Sequence, residues 1–340
     1  MPGPEPAKQP LFHVLEALYL ARAVYVVAEL GVADHLRTHG PTTAAALAEA
    51  LGAHPVSLHR VLRALAGFAV FAEDPEGRFH LTPAAVPLES EAPWSIRHWA
   101  RMAGAPPMMV GVGQALEAVR TGEVAFELAH GESVYDLFAR DAVLDDAFVR
   151  GMSAFTEQQA AVLVPFLQLG EEEAVCDVAG GRGALVEAML RAHPRLQATL
   201  FDRASGAEAG RARLDAAGVG ARAETVAGSF FEAVPPGRDA YTLKHVLRDW
   251  DDGDAVRILR TIRAAVPAHG RLLLVDATLD PRNDTDRLVK LMDLEQMWVL
   301  GGGLRTRAEL ERLLVEAGWT LVDLRPTPIV DAVVLEARPA

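Results

Sequence analysis

Up to about residue 168 the apolar positions of the chain recur three and four apart, the spacing of helices that bury one face. Leu11, Val14, Leu15 and Leu18 share one stripe of a first helix, LFHVLEALYLARAVYVVAEL, which is apolar enough to need a partner surface. PTTAAALAEAL and PVSLHRVLRALAGF then read as two helices, and FAVFAEDPEGRFHLT as a hairpin turning at Asp74-Pro75-Glu76-Gly77. Together they outline a winged helix. From residue 174 the period changes, and short apolar runs at about 174–179, 197–202, 222–227, 239–245 and 271–277 read as buried strands with helices between them. DDGDAVRILRTIRAAV takes Asp251 or Asp252 as its N-cap, and Thr306-Arg307-Ala308-Glu309 fits a capping box. WTLVDLRP and IVDAVVLEAR supply a closing pair of strands. The expected fold class is α/β, a doubly wound sheet with an antiparallel end, preceded by a mainly helical domain.

Charge narrows the partners. A formal net charge of −13 argues against nucleic acid or an anionic membrane surface. Residues 43–82 of the winged helix hold three arginines (Arg60, Arg63, Arg78), no lysine and four acids (Glu49, Glu73, Asp74, Glu76). Without a basic stripe the module reads as a dimerisation and site-covering element rather than a DNA reader. The lone cysteine, Cys176, lies in a strand, so neither a disulfide framework nor a cysteine metal cluster is available and a cytoplasmic protein is expected. The opening MPGPEPAKQP lacks a basic segment followed by an apolar core. No apolar run is read as approaching the roughly 20 residues of a membrane span.

The chemistry concentrates in AVCDVAGGRGAL, residues 174–185, where a strand breaks into glycines and resumes as a helix. Such a turn lets a ligand approach the backbone. No Gly-Lys pair follows, which removes a P-loop, and Val186 stands where a dinucleotide fingerprint would place the third glycine after Gly181-Arg182-Gly183. A nucleoside-type cofactor without a pyrophosphate remains, with Asp177 at the strand end as an added acceptor. The other strand ends agree with it. LFD places Asp202 to accept from both ribose hydroxyls, AGSFF offers Ser229 and Phe230 to an adenine, LKHVLRDWDD follows the fourth strand, and LLLVDATL brings Asp276. Asp249, Asp251 and Asp252 are better explained by capping than by a metal, and none is expected.

GVADHLRTHGPTTAAALAEALG, VLRALAGFAVF, DLFARDAVLDDAFVRGMSAF, VCDVAGGRGAL, TLFD, GSFFEAVP, LKHVLRDWDDGDAVRIL and GGGLRTRAEL carry, in order and spacing, a resemblance over nearly the whole chain. The protein resembles the S-adenosylmethionine-dependent small-molecule O-methyltransferases of the plant caffeate and bacterial polyketide-tailoring type. The resemblance implies a winged-helix-like dimerisation domain over residues 1–100, a helical linker contributing to the substrate pocket over 101–168, and a Rossmann-like class I methyltransferase domain over 169–340. It also implies S-adenosylmethionine as cofactor, a small-molecule acceptor, a homodimer and a place in specialised, antibiotic-type metabolism. By residue it implies Gly181 and Gly183 in the glycine loop, Asp202 on the ribose, Phe230 against adenine and Lys244 beside the cofactor. Lys244 is one of three lysines, with Lys8 and Lys290. Phe148, Met152 and Met297 match substrate-pocket positions and Thr156 a small hydroxyl residue near the cofactor, although Phe148 and Met152, four apart on a helix, also suit plain core.

The departures concern the proton. Where the family commonly reads H-D-W, with the histidine as general base, this chain reads Arg248-Asp249-Trp250, and arginine cannot accept a proton near neutral pH. Leu304 in GGGLRT stands where the family often has a glutamate, Asp276 replaces the other steadying acid with one methylene fewer, and Ser229 precedes Phe230 where Asp is frequent. Methyl transfer tolerates these losses, because near-attack positioning can supply roughly 7–11 kcal/mol. A guanidinium ~4 Å from a phenolate attracts it by about 4 kcal/mol at an effective dielectric of about 20. Set against desolvation, that lowers a phenol's pKa by roughly 1 to 3. The expectation is in-line displacement with Arg248 holding the acceptor as an anion or gripping a substrate carboxylate. His245 is a lesser candidate for the base, able to share a site with Arg248 only if the strand ends between them. Two rival readings stay open. One is a same-fold enzyme that keeps the cofactor but hydroxylates, decarboxylates or closes a ring; the other is a non-catalytic ligand-binding regulator, against which the intact Lys244, Asp202 and glycine loop speak.

Overall fold

The computed structural model describes residues 9–282 and 286–340. Lys8 and the rest of MPGPEPAK lie outside the described residues. The chain forms two compact units, one running to Met109 and taking in Asp141–Ala154, the other made of Val110–Arg140 and Phe155–Ala340. The helical stretch read as one linker over 101–168 is shared between them.

In the first unit the helices Gln9–Leu30 and Val32–His39 precede a small sheet of β1 (Thr42–Thr43), β2 (Phe71–Glu73) and β3 (Arg78–Leu81), in the order β1-β3-β2. Helices Ala44–Leu51 and Pro55–Ala66 connect β1 to β2. Each begins on a side-chain acceptor, Thr43 for the Ala46 amide and His54 for the Ser57 amide, and Pro55 sits in a first turn where its missing N–H leaves nothing unpaired. The hairpin closes on Asp74, whose Oδ1 accepts from the amides of Glu76 at 3.1 Å and Arg78 at 2.8 Å. Leu47, Leu58, Leu62, Leu65, Phe71 and Phe79 form the core beneath.

The first helix corrects one expectation. Leu11–Leu30 is 20 residues with mean hydropathy 1.6, long and apolar enough to cross a membrane. Its second half is docked on its own unit, with Val27 and Ala28 buried, Glu29 paired with Arg101 at 2.9 Å and Arg22 donating to the Gly104 carbonyl. Its first half turns Leu11, Phe12, Val14, Leu15, Leu18 and Tyr19 outward. An exposed apolar face of this size calls for a cover.

The second unit is built on β4 (Ala174–Val178), β5 (Gln197–Asp202), β6 (Ala223–Ala227), β7 (Ala240–Lys244), β8 (Arg271–Asp276), β9 (Trp319–Pro326) and β10 (Val333–Pro339). Their order is β6-β5-β4-β7-β8-β10-β9; the first five are parallel, and β10 runs antiparallel to both its neighbours. Strand order reverses between β4 and β7, which opens a crevice at the carboxyl ends there. The run LLLV of β8 is continuous because both faces are covered: Leu272 and Leu274 join one core layer with Tyr241 and Leu243, while Leu273 and Val275 join the other with Val175 and Leu200. Asp251 caps the helix Asp252–Ala265, and the Thr306–Glu309 capping box opens Arg307–Glu316. Cys176 is fully buried in β4, where loss of hydration raises its thiol pKa well above the ordinary value.

Replacing Leu15 and Leu18 together by glutamate is expected to leave the melting temperature close to that of the parent while converting a dimer into a monomer. Size-exclusion chromatography with light scattering reads the outcome, and a variant that still scatters as a dimer refutes this face as the contact.

Candidate functional site

Beyond β4 the chain turns through Ala179 (φ 58°), Gly180, Gly181 (φ 56°) and Gly183 (φ 76°) into the helix Ala184–Ala192. The Gly181 amide donates to Asp202 Oδ2 at 2.8 Å and the Arg203 amide to Oδ1 at 2.7 Å, so the turn rests on the carboxylate that ends β5. A Cβ on Gly180 would meet Leu200 at 2.4 Å and Asp177 Oδ2 at 2.6 Å, whereas one on Gly181 would meet nothing within 4 Å. The turn is therefore packed tightly below and bare above. Asp177 belongs to the lower side: it is 2% exposed, its Oδ1 accepts from Thr242 Oγ1 at 2.6 Å, and burial pushes its carboxyl up to about 7. It supports the turn from beneath, which corrects its reading as an open acceptor. Val186, at the third-glycine position, is fully buried.

After β6, Phe230 enters an aromatic cluster with Phe231 (ring centroids 4.9 Å apart) and Trp250 (6.0 Å), and Tyr135 stacks on Trp250 at 5.5 Å. Ser229 Oγ turns to its own loop and accepts from the Phe231 amide at 3.3 Å.

At the end of β7 the strand breaks at His245, whose φ is 55°, and a one-turn helix Leu247–Asp249 follows. His245 and Arg248 can therefore share a site, and they do: Nε2 of the one lies 3.1 Å and Nη2 of the other 3.3 Å from the Asp331 carbonyl. His245 Nδ1 lies 3.1 Å from Lys244 Nζ, which also donates to Thr156 Oγ1 at 3.4 Å. These partners assign the proton to Nε2 and make Nδ1 the acceptor of the lysine. Burial, reinforced by the Arg248 and Lys244 charges, pushes the imidazole well below its ordinary pKa. With both nitrogens engaged, His245 is a neutral hydrogen-bonding link, not a base. Burial also lowers Lys244, to about 8.

Arg248 is 4% exposed, and its Nε and Nη2 both reach Asp276 Oδ1 at 2.6 Å. Asp276 thus steadies residue 248, while the guanidinium, engaged by that carboxylate, is not the free cation expected at this position. Its Nη1 makes no bond to another described residue. The next residue, Asp249, accepts from the Tyr135 hydroxyl at 2.8 Å, and the Gln296 amide, in the orientation its neighbours require, donates to Asp249 Oδ1 at 2.9 Å and to the Arg248 carbonyl at 3.2 Å. Burial raises Asp249 to about 7. The acids Asp249, Asp251 and Asp252 go to different partners, Asp249 to Tyr135, Asp251 to its helix and Asp252 to Arg305 and Arg312. Leu304 is buried against Ala277 and Val289.

Phe148, Met152 and Thr156 follow one another at four-residue steps along the helix Ala142–Leu167, and Met297, 37% exposed, lies on the π-helical turn Gln296–Leu300. Tyr135, Thr242, Gln296, Asp331 and Glu295 were not found from the sequence. Only Thr242, in a strand paired with β4, offered a signal there.

Known proteins of this build define the class. The O-methyltransferase domain family matches residues 114–320 and the O-methyltransferase dimerisation domain matches residues 12–88. The chain belongs to the O-methyltransferase family; it is an S-adenosylmethionine-dependent enzyme of specialised metabolism and a homodimer. It is 36% identical over 337 residues to a phenazine O-methyltransferase of Lysobacter antibioticus, covering 99% of this chain and 98% of that one. A solved mitomycin 7-O-methyltransferase matches with a TM-score of 0.91 at 36% identity over 98% of each chain. An O-methyltransferase from neocarzinostatin biosynthesis, solved with S-adenosylmethionine and 2-hydroxy-5-methyl naphthoic acid, matches at 0.82 and 33% identity, covering 94% of this chain and 96% of that one.

Arg248→Ala would leave Asp276 buried and unpaired, and is expected to cost about 3–5 kcal/mol in urea unfolding. Arg248→Met combined with Asp276→Leu should recover most of the loss. A single variant as stable as the parent would show that the pair is not held in a low-dielectric setting.

Proposed function

We propose that the enzyme methylates a hydroxyl, phenolic or carboxylic, of a small specialised metabolite, by in-line displacement in which positioning carries most of the rate enhancement. What supports this reading is the meeting, at one end of the sheet, of the bare Gly181 turn, the Asp202 carboxylate and Lys244. When bound, S-adenosylmethionine supplies a methyl group on a sulfonium whose leaving group is a neutral thioether. The residues present fit such a molecule. Gly181 keeps a side chain out of its path, Gly183 supplies the positive φ that turns the chain into the helix, and the Asp202 carboxylate that ends β5 is of the kind that takes a ribose diol. Phe230 would offer a ring to the adenine with Ser229 beside it, Asp177 holds the turn from below, and Thr156 and Lys244, 3.4 Å apart, would stand next to the cofactor. Phe148, Met152 and Met297 are assigned to the acceptor on resemblance.

Arg248 acts through a charge that Asp276 offsets, so its pull on an acceptor oxygen falls well short of the about 4 kcal/mol of an unpaired guanidinium at ~4 Å. Its Nη1 is the arm left for that oxygen. The buried, unpaired Cys176 suits a reducing compartment, and we place the enzyme in the cytoplasm.

Incubation with labelled S-adenosylmethionine and a panel of phenols, hydroxynaphthoic acids and carboxylic acids is expected to release S-adenosylhomocysteine at a rate unchanged by EDTA. Conversion of an acceptor with the cofactor left whole would assign the repurposed chemistry instead. Asp202→Ala should weaken S-adenosylhomocysteine binding roughly 10- to 100-fold in calorimetry; unchanged affinity would remove the ribose role. An Arg248→His variant that methylates faster at unchanged acceptor affinity would overturn the part given to Arg248.

A further inference from the structure

With arginine at position 248 and His245 engaged at both nitrogens, the reaction lacks its usual proton acceptor, yet the same cluster holds a carboxyl that the cofactor site does not use. Glu295 is the last residue of the helix Arg287–Glu295, at the point where the chain widens into the π-helical turn Gln296–Leu300. Such widenings are frequent at functional sites. The junction is pinned on the 247–250 turn from several directions. Gln296 donates to Asp249 Oδ1 and to the Arg248 carbonyl, and Arg305 donates to the carbonyls of Leu247 at 2.8 Å and Trp250 at 2.7 Å. A Cβ on Gly302 would fall 2.0 Å from the Arg248 carbonyl oxygen, so the 301–303 turn presses directly on residue 248.

Of the charged groups on that turn, Arg248 is felt at Glu295, and Glu295 is felt at Asp249. The neighbouring acids have donors, Asp276 from Arg248 and the Ala277 amide, Asp249 from Tyr135 and Gln296. Glu295 is half-buried and has no hydrogen-bond partner among the described residues. A carboxylate with empty acceptor sites, next in the chain to the glutamine that is bonded to the 248–249 turn, is open to an O–H from outside the protein.

On this geometry we propose that Glu295 accepts the proton of the acceptor hydroxyl. The proposal rests on the hydroxyl-methylation reading above. As the acceptor oxygen forms its bond to the methyl carbon, the carbon–sulfur electron pair leaves with the thioether. The O–H bond breaks with its electron pair kept by oxygen, and the proton passes to a Glu295 carboxylate oxygen and later to solvent. Removal from water pushes this carboxyl up to about 7, close to the range in which a general base works best near neutral pH.

The test is kinetic and spectroscopic. With phenols graded in acidity from 4-methoxyphenol through 1-naphthol to 4-nitrophenol, kcat of the parent should rise through a pH of about 7. Glu295→Gln should lose that inflection, which Asp249→Asn should keep, and should lower kcat roughly 10²- to 10³-fold at an unchanged KM for S-adenosylmethionine. The deficit should shrink toward parity for 4-nitrophenol above its own pKa, because that oxygen arrives ionised. An equal loss on every phenol, or none, overturns the assignment. Carbon-13 NMR of protein labelled at the glutamate Cδ gives a second readout: a signal titrating near 7 that is missing in Glu295→Gln supports it, and titration in the ordinary carboxylate range overturns it. If the parent methylates no phenol, the hydroxyl reading fails, and the NMR titration alone then decides whether Glu295 is poised to take a proton.

Discussion

Strands β4, β7 and β8 are packed on both faces, so a side chain along them must be apolar or find its partner inside the sheet, as Asp177 and Thr242 do. That constraint pushes the remaining polar groups outward to the strand ends. At the carboxyl ends it gathers Asp202, Lys244 and Asp276, and the loops that leave them bring His245, Arg248 and Asp249 to the same side. A site at this edge is a consequence of how the sheet is covered. The glycines only decide that something can be laid against it.

Within that site an arginine in place of an imidazole changes the charge balance. Lys244 and Arg248 supply two cations, and Asp177, Asp202, Asp249, Asp276 and Glu295 five carboxyls, three of which burial raises to about 7. The raised carboxyls also weigh against the folded state. Each binds its proton more tightly when folded than when unfolded, so their effect on stability declines as pH climbs from the ordinary carboxylate range to about 7 and is level above it. Acids that destabilise the fold at working pH are characteristic of places kept for chemistry.

Much of this architecture was legible beforehand, since strand burial and helix capping are local: the LLLV run, the Asp251 cap and the Thr306–Glu309 box each declare themselves within a few residues. The glycine turn and Asp202 were legible for the same reason. The corrections lie where a residue's role is set by partners far along the chain. Arg248 reads as a free cation until Asp276, 28 residues on, is seen to hold it. His245 reads as a base until Asp331, 86 residues on, takes one nitrogen. Tyr135 reaches Asp249 across 114 residues, a pairing that no spacing announces. The first helix escaped for a different reason: its scattered charges, Glu16, Arg22 and Glu29, broke the apolar run to the eye without lowering its mean hydropathy below that of a membrane span.

The burial of Cys176 in β4 has a practical side. The lone sulfhydryl is sealed in the core and kept protonated, which leaves the folded surface silent toward thiol reagents. A cysteine engineered anywhere on the exterior then becomes the single addressable handle on each protomer. Fluorophores or spin labels can report distances and motions of this enzyme without first stripping out its native sulfur.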